Sequence, residues 1–262
     1  MAVTLKTPQQ IAILRDAGRI VAETYEVLRP HVVAGVTTAD LDKIAEEFIR
    51  KSGGLPMYKG YGATTDRRGR TVRPPFPATI CVAVNEVICH GIPSKKQVLK
   101  DGDIIGIDIG VMYKGWIGDA CRTFAVGEID KETQRLVDAT MTCLELGIEQ
   151  ARPGNHLGDI GAAIQKYAEA QGFSTVRELT GHGVGRQLWE EPSVFHWGTP
   201  GTGVKIQPGM VFTIEPMINA GKPAIRTLAD QWTIMTADGS RSAQFEHSMA
   251  ITEHGAELLT VL

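Results

Sequence analysis

Asp103–Gly127, DIIGIDIGVMYKGWIGDACRTFAVG, is the stretch from which the fold of this chain is read. Its first half alternates, with Ile105, Ile107, Ile109 and Val111 at odd positions and Asp108 at an even one between Gly106 and Gly110. That pattern predicts a strand with one buried face and a second, nearly bare face from which a single carboxylate projects. After Tyr113-Lys114-Gly115 a returning strand sets Asp119, Cys121 and Thr123 on one face and Ala120 and Phe124 on the other. If the turn is centred on Tyr113 and Lys114, antiparallel pairing places Asp108 roughly opposite Asp119. Two like charges facing each other on a sheet repel, and burial raises the cost. Either one carboxyl holds a proton or a cation lies between them.

Further ligands for a cation lie downstream: His182 in ELTGHGVG, Glu215 in MVFTIEP and Glu246 in QFEHS. Taken singly, Glu215 and Glu246 read as charges at strand edges; taken with the two aspartates they form a set. Carboxylate oxygens suit a hard divalent cation, and an imidazole moves the preference toward Mn, Fe, Co or Zn. The set is too large for one tetrahedral ion and too acidic to bury unpaired. Two ions about 3 to 4 Å apart, bridged by shared carboxylates, balance that charge and make a hydrolytic centre.

The 262 residues and 43% apolar content allow a large core, in one enlarged domain or two small lobes. A net charge of -3 gives no reason to expect nucleic acid as the main partner. Cys81, Cys89, Cys121 and Cys143 have neither the short pairs of a zinc knuckle nor the density of a secreted scaffold, which points to a reducing compartment. The opening MAVTLKTPQQ has no apolar targeting core, and no run approaches the roughly 20 apolar residues of a membrane span. A soluble, cytoplasmic protein is expected.

Thr7-Pro8-Gln9-Gln10 combines an N-cap, a proline for the first turn and a capping-box glutamine, opening a helix that ends before Pro30. Thr37 followed by Asp40 opens a second, stopped by Gly53-Gly54. The irregular segment from Leu55 to Pro77 contains DRRGRTVRPPFP; its arginines suit either a polyanion or a solvated loop. A strand is expected from Ala78 to Val84, then His90 in NEVICHGIP, which alone is as readily a surface histidine as a functional one. Helices are expected from Lys131 to about Glu149 and from Asp159 to Ala170. At an offset of 119, Gly35, Asp40, Leu41, Phe48 and Gly53 meet Gly154, Asp159, Ile160, Tyr167 and Gly172, the order expected of an internal repeat with halves 8–126 and 127–262. Ligands from both halves would converge at their junction. Beyond the glycine-rich GHGVG, a strand ends at Glu215, and a hairpin is expected to join Gln231–Met235 with Ala243–Ile251, carrying Glu246.

GIDIG with Asp108, GDACRTF with Asp119, GHGVG with His182, FTIEP with Glu215 and QFEHS with Glu246 together resemble the five-ligand set of type I methionine aminopeptidases. NEVICHGIP is similar to the segment that carries that family's active-site histidine, here His90. The resemblance covers nearly the whole chain. It implies a single catalytic domain, residues 1–262, with the α/β pita-bread fold, a pseudo-two-fold repeat of helices packed on a central curved antiparallel sheet. It also implies two divalent ions (Co, Mn, Fe or Zn), with Asp108 on one, Asp119 and Glu246 bridging, and His182 with Glu215 on the other. Glu215 would move the proton and His90 would hydrogen-bond the reacting amide. Phe76, Cys81, His90, Leu188, Trp189 and Trp232 would surround the substrate. The implied activity is removal of an initiator methionine from nascent proteins and peptides with a small second residue, by a monomer that touches the ribosome transiently through Arg67, Arg68, Arg70 and Arg73.

The chain departs from that pattern where Leu188 and Trp189 precede Glu190-Glu191-Pro192 in place of phenylalanine and histidine, in the length of the arginine-rich segment, and at Phe76 in place of a tyrosine. An indole donates one hydrogen bond but neither accepts one nor carries a proton. The competing readings are a related aminopeptidase or dipeptidase of other specificity, and a non-catalytic binding module.

Overall fold

The computed structural model describes residues 3–69 and 71–262. Four long helices follow from their caps. Helix α1, Pro8–Leu28, starts where Thr7 and Gln10 cap each other reciprocally, and α2, Thr38–Lys51, repeats the device with Thr37 and Asp40. Helix α3, Lys131–Gln150, is capped by Asp130. Helix α4, Leu157–Ala170, begins two residues before the expected Asp159, because Asp159 is not the cap but the third helical residue, accepting a hydrogen bond from His156 N at 2.7 Å. Helices α2 and α4 are each 14 residues long and start 119 positions apart.

Each helix pair closes over its own core. Val21, Tyr25 and Leu41 bury against Ile105, Ile107 and Ile109, whereas Leu136, Ile160 and Ile164 bury against Phe212, Ile214 and Ile218. The first set sits on an antiparallel sheet in which Ile104–Tyr113 runs between Ile80–Val84 and Trp116–Ala125. The second sits on another, with Val211–Ile214 between Gly181–Gly183 and His247–Thr252.

The two sheets meet along one seam, where side chains and backbone stitch Trp116–Ala125 to the segment around Glu246. Glu246 N donates to the Cys121 carbonyl at 2.8 Å, Thr123 Oγ1 to the Gln244 carbonyl at 2.7 Å and Ser248 Oγ to the Asp119 carbonyl at 2.6 Å. Acidic residues of both halves are thereby brought to one place.

Two expectations about pairing are corrected. The central hairpin turns at Lys114 and Gly115, both with left-handed φ (49° and 76°), so Tyr113 pairs with Trp116 and Asp119 lies opposite Gly110, with Asp108 opposite Cys121. The two aspartates are diagonal neighbours on one face rather than directly opposed, because a two-residue turn of this hand fixes the register two positions from the one assumed. The hairpin expected between Gln231–Met235 and Ala243–Ile251 does not form. Ile234–Thr236 pairs instead with Ile225–Thr227 and Val87–Cys89, after a turn in which Asp230 accepts from the N–H groups of Trp232 and Thr233. Ser242–Gln244 pairs with Met217–Asn219, and Glu246 sits in the break between that strand and His247–Thr252. No helix among the described residues is long and apolar enough to cross a membrane.

Candidate metal centre

Asp108 and Asp119 project from the central hairpin on the face left bare by Gly106 and Gly110. Gly110 makes room for Tyr58: a Cβ there would lie 2.8 Å from the phenol ring. The Tyr58 hydroxyl lies within hydrogen-bonding reach of carboxylate oxygens of both Asp108 and Asp119. Burial, and then the two aspartate charges, push the Tyr58 pKa well up, so the hydroxyl keeps its proton as a donor.

His182, in the short strand Gly181–Gly183, reaches the same point from the other sheet. Its Nδ1 stands 3.0 Å from the Gly183 carbonyl oxygen, which only accepts, so Nδ1 carries the proton and Nε2 presents its lone pair. That Nε2 lies 3.7 Å from Asp119 Oδ2 and 3.6 Å from Glu215 Oε1. Glu215 is held by Thr213, whose Oγ1 donates to Oε1 at 2.8 Å, and its backbone N–H donates to His196 Nε2 at 3.1 Å. Ligand atoms of Asp119, His182 and Glu246 all lie within 4.8 Å of one another.

These residues fit a cation. Asp119 and Glu246 are each 3% exposed, and Glu246 Oε1 is buried with no hydrogen-bond partner among the described residues. Burial pushes the pKa of Asp108, Asp119, Glu215 and Glu246 upward; neighbouring carboxylates push Asp108 and Glu246 further, and His182 and Tyr58 draw Asp119 back. Buried carboxylates this close stay ionised at neutral pH only beside compensating positive charge. Two carboxylates and one imidazole this close together, with the His182 Nε2 lone pair and the Glu246 Oε1 oxygen unpartnered, are the chemistry of a divalent-metal site.

Every side chain expected at the site lines one cavity of about 330 Å³. Phe76, Cys81, Leu188 and Trp232 are buried in its wall, with Cys81 paired opposite Asp108 in the adjacent strand. His90 adopts a left-handed φ of 56°, and its ring stands nearly perpendicular to that of Trp232, with the ring centres 6.5 Å apart. Burial, with lesser effects from the Arg73 and His182 charges, lowers its pKa to about 4, so its imidazole is neutral. Trp189 differs from the rest: it is 40% exposed and stands at the rim. The loop bearing it is fixed by Glu190, which accepts from Arg186 N at 2.9 Å and pairs with the buried Lys6 Nζ at 2.5 Å.

Of the arginines singled out in the sequence, Arg67 and Arg68 are exposed, Arg73 is partly buried and lines the cavity, and Arg70 lies outside the described residues. Sequence reasoning missed Tyr58, Thr213, His196 and Lys6. Thr213 was available to it, since it precedes Glu215 by two positions on a strand and shares its face. Tyr58 carried no such signal, because it arrives through the short Leu55–Pro56 pairing with Met112 and Val111.

Helices on antiparallel sheets around a buried set of carboxylates and one imidazole build a metal site, and residues 12–253 match the model of metallopeptidase family M24, which makes the class a metallopeptidase. The chain belongs to that family, in its type I methionine aminopeptidase branch. It is 47% identical to methionine aminopeptidase 1 of Bacillus subtilis over 98% of this chain and 99% of that one. Against the methionine aminopeptidase of Escherichia coli K12 the identity is 44%, covering 100% of this chain and 95% of the relative. The crystal structure of the Thermotoga maritima methionine aminopeptidase matches with a TM-score of 0.93 at 41% identity, covering 100% of both chains. The pita-bread architecture implied by the sequence motifs is shared with these structures.

Proposed function

We propose that this chain hydrolyses the N-terminal methionine from nascent proteins and peptides whose second residue is small, with two divalent ions in the site. The observation that carries the reading is the convergence of buried Asp119, His182 and Glu246, flanked by Asp108 and Glu215, on a cavity with an apolar wall. Asp108 would hold one ion, His182 and Glu215 the other, and Asp119 and Glu246 both. Such a pair supplies Lewis acidity, polarising a carbonyl oxygen and lowering the pKa of water.

The chain's own residues supply the rest. Glu215, steadied by Thr213, takes the proton from the attacking water and delivers it to the departing amine. Neutral His90 hydrogen-bonds the scissile amide. Phe76, Cys81, Leu188 and Trp232 form an apolar wall suited to an unbranched thioether side chain. The free amino terminus of the peptide would lie beside the ions these carboxylates hold, a group an internal peptide lacks, and this would restrict cleavage to the first bond. Exposed Arg67 and Arg68 offer a transient contact to ribosomal RNA, tested by co-sedimentation of the double glutamine variant with ribosomes at rising salt.

The activity is tested with Met-Ala-Ser, Met-Leu-Ser and N-acetyl-Met-Ala-Ser across Co, Mn, Fe and Zn, measuring each product. Free methionine from Met-Ala-Ser alone is the expected result. Release from the acetylated peptide, or release of a dipeptide, would contradict the reading.

A further inference from the structure

An excursion of the chain between Tyr61 and Phe76 brings one arginine back into the site. Its ends are tied together: Gly60 N donates to the Phe76 carbonyl at 2.8 Å and Phe76 N to the Tyr61 carbonyl at 2.9 Å. Thr64–Thr65 and Thr71–Arg73 pair as a small hairpin, with Thr64 opposite Arg73. The hairpin is docked on Trp232, whose Nε1 donates to the Pro74 carbonyl at 2.9 Å. Gly62 passes so close that a Cβ there would lie 2.5 Å from the indole.

Arg73 completes this docking. Its guanidinium lies over the Trp232 ring at 4.4 Å, and its Nε donates to the Gly62 carbonyl at 2.8 Å. Stacking and one hydrogen bond fix the plane of the group. Among the described residues its two terminal nitrogens have no protein acceptor and Arg73 forms no ion pair. A planar, always-charged fork held in one orientation at the wall of a peptide site, with its outer donors unused, matches a carboxylate in two-point contact.

We propose that Arg73 determines substrate specificity by pairing with a carboxylate that the peptide carries beyond its small second residue. The group is an acidic side chain or, in a short peptide, the terminal carboxylate. This rests on the reading of the cavity as a methionyl-peptide site: with the amino end at the buried acids and the methionine against Phe76 and Trp232, the rest of the peptide leaves past the rim. Glu178 also lines the cavity and is exposed, so a substrate carboxylate gains only where it meets Arg73, which makes the preference positional.

The test is steady-state kinetics of the metal-loaded enzyme on Met-Ala-Ser-amide, Met-Ala-Asp-amide, Met-Ala-Lys-amide and Met-Ala-Ser free acid. The wild type should favour the aspartyl over the seryl amide by about 10-fold, mainly in KM, and disfavour the lysyl amide. Comparison of seryl amide with free acid separates the terminal carboxylate from the side chain. Arg73→Gln should bring the ratios toward one, and Arg73→Lys should keep part of the preference. A wild type that does not distinguish the amides overturns the proposal without any variant. Equal loss on every peptide in Arg73→Gln also overturns it, leaving Arg73 as a brace for Trp232. Hydrolysis of none of the peptides by the wild type sinks the methionyl-peptide reading and this one with it, so the two failures are told apart.

Discussion

His182 Nε2 faces Asp119 Oδ2 at 3.7 Å across the seam between the two sheets, while its Nδ1–H is engaged by the Gly183 carbonyl. Each half of the chain contributes one of these residues, so the site exists only when both halves are folded against each other. The lone pair on Nε2 and the carboxylate oxygen both want a positive charge between them.

His90 separates metal binding from chemistry. It lines the cavity but is not among the clustered ligands, so His90→Ala should leave metal content near normal while kcat falls at least about 100-fold. Because its backbone is left-handed, His90→Asn is the better-folded companion, asparagine tolerating that conformation. Since His90 is already neutral above about pH 5, with its pKa near 4, no acid limb near pH 6.5 should vanish in these variants. Metal loss in step with activity would make His90 a ligand.

Much of this was legible in the sequence because its signals are local. The alternation of Ile105, Ile107, Ile109 and Val111 reports a buried face, and the reciprocal caps at Thr7 and Thr37 place the helix starts correctly. Register was not legible, since it depended on whether Tyr113-Lys114 or Lys114-Gly115 formed the two-residue turn, a choice that alternation alone does not resolve. The pairing of Ile234–Thr236 failed for a different reason: one partner, Val87–Cys89, lies far away in the chain, and the other, Ile225–Thr227, precedes it rather than following it. Tyr58 was missed because a residue in an irregular segment gives no periodic sign of where its hydroxyl points.

Trp189 occupies the rim rather than the wall, and its 40% exposure decides how a reversion behaves. Trp189→His leaves no buried hole, so it should fold normally and raise kcat/KM on Met-Ala-Ser by about 10-fold, one well-placed hydrogen bond being worth roughly 0.5 to 1.5 kcal/mol. Leu188 is buried, so the double change with Leu188→Phe tests volume separately. Unchanged kinetics in both variants would place Trp189 away from the substrate.

Lys6 tests whether the loop bearing Leu188 and Trp189 needs its anchor. The Lys6 side chain is 4% exposed and pairs with Glu190 at 2.5 Å. Lys6→Met removes the charged partner of the Glu190 carboxylate, which keeps its backbone hydrogen bond from Arg186, and should cost about 1 to 3 kcal/mol in urea unfolding, the worth of a hydrogen bond to a charged group. KM for Met-Ala-Ser should rise as the loop loosens. Equal stability and equal KM would show that the pair is dispensable.

The central claim is that the buried acids and His182 hold two catalytic divalent ions, and it is tested by metal analysis and turnover on the same samples of wild type and Asp119→Asn. The wild type, stripped with chelator and reloaded with Mn or Co, should bind two ions per chain and recover Met-Ala-Ser hydrolysis as they bind. Asp119→Asn should lose tight occupancy and nearly all turnover. Two tightly held ions with normal turnover in Asp119→Asn, or full activity in metal-stripped wild type, would contradict the account.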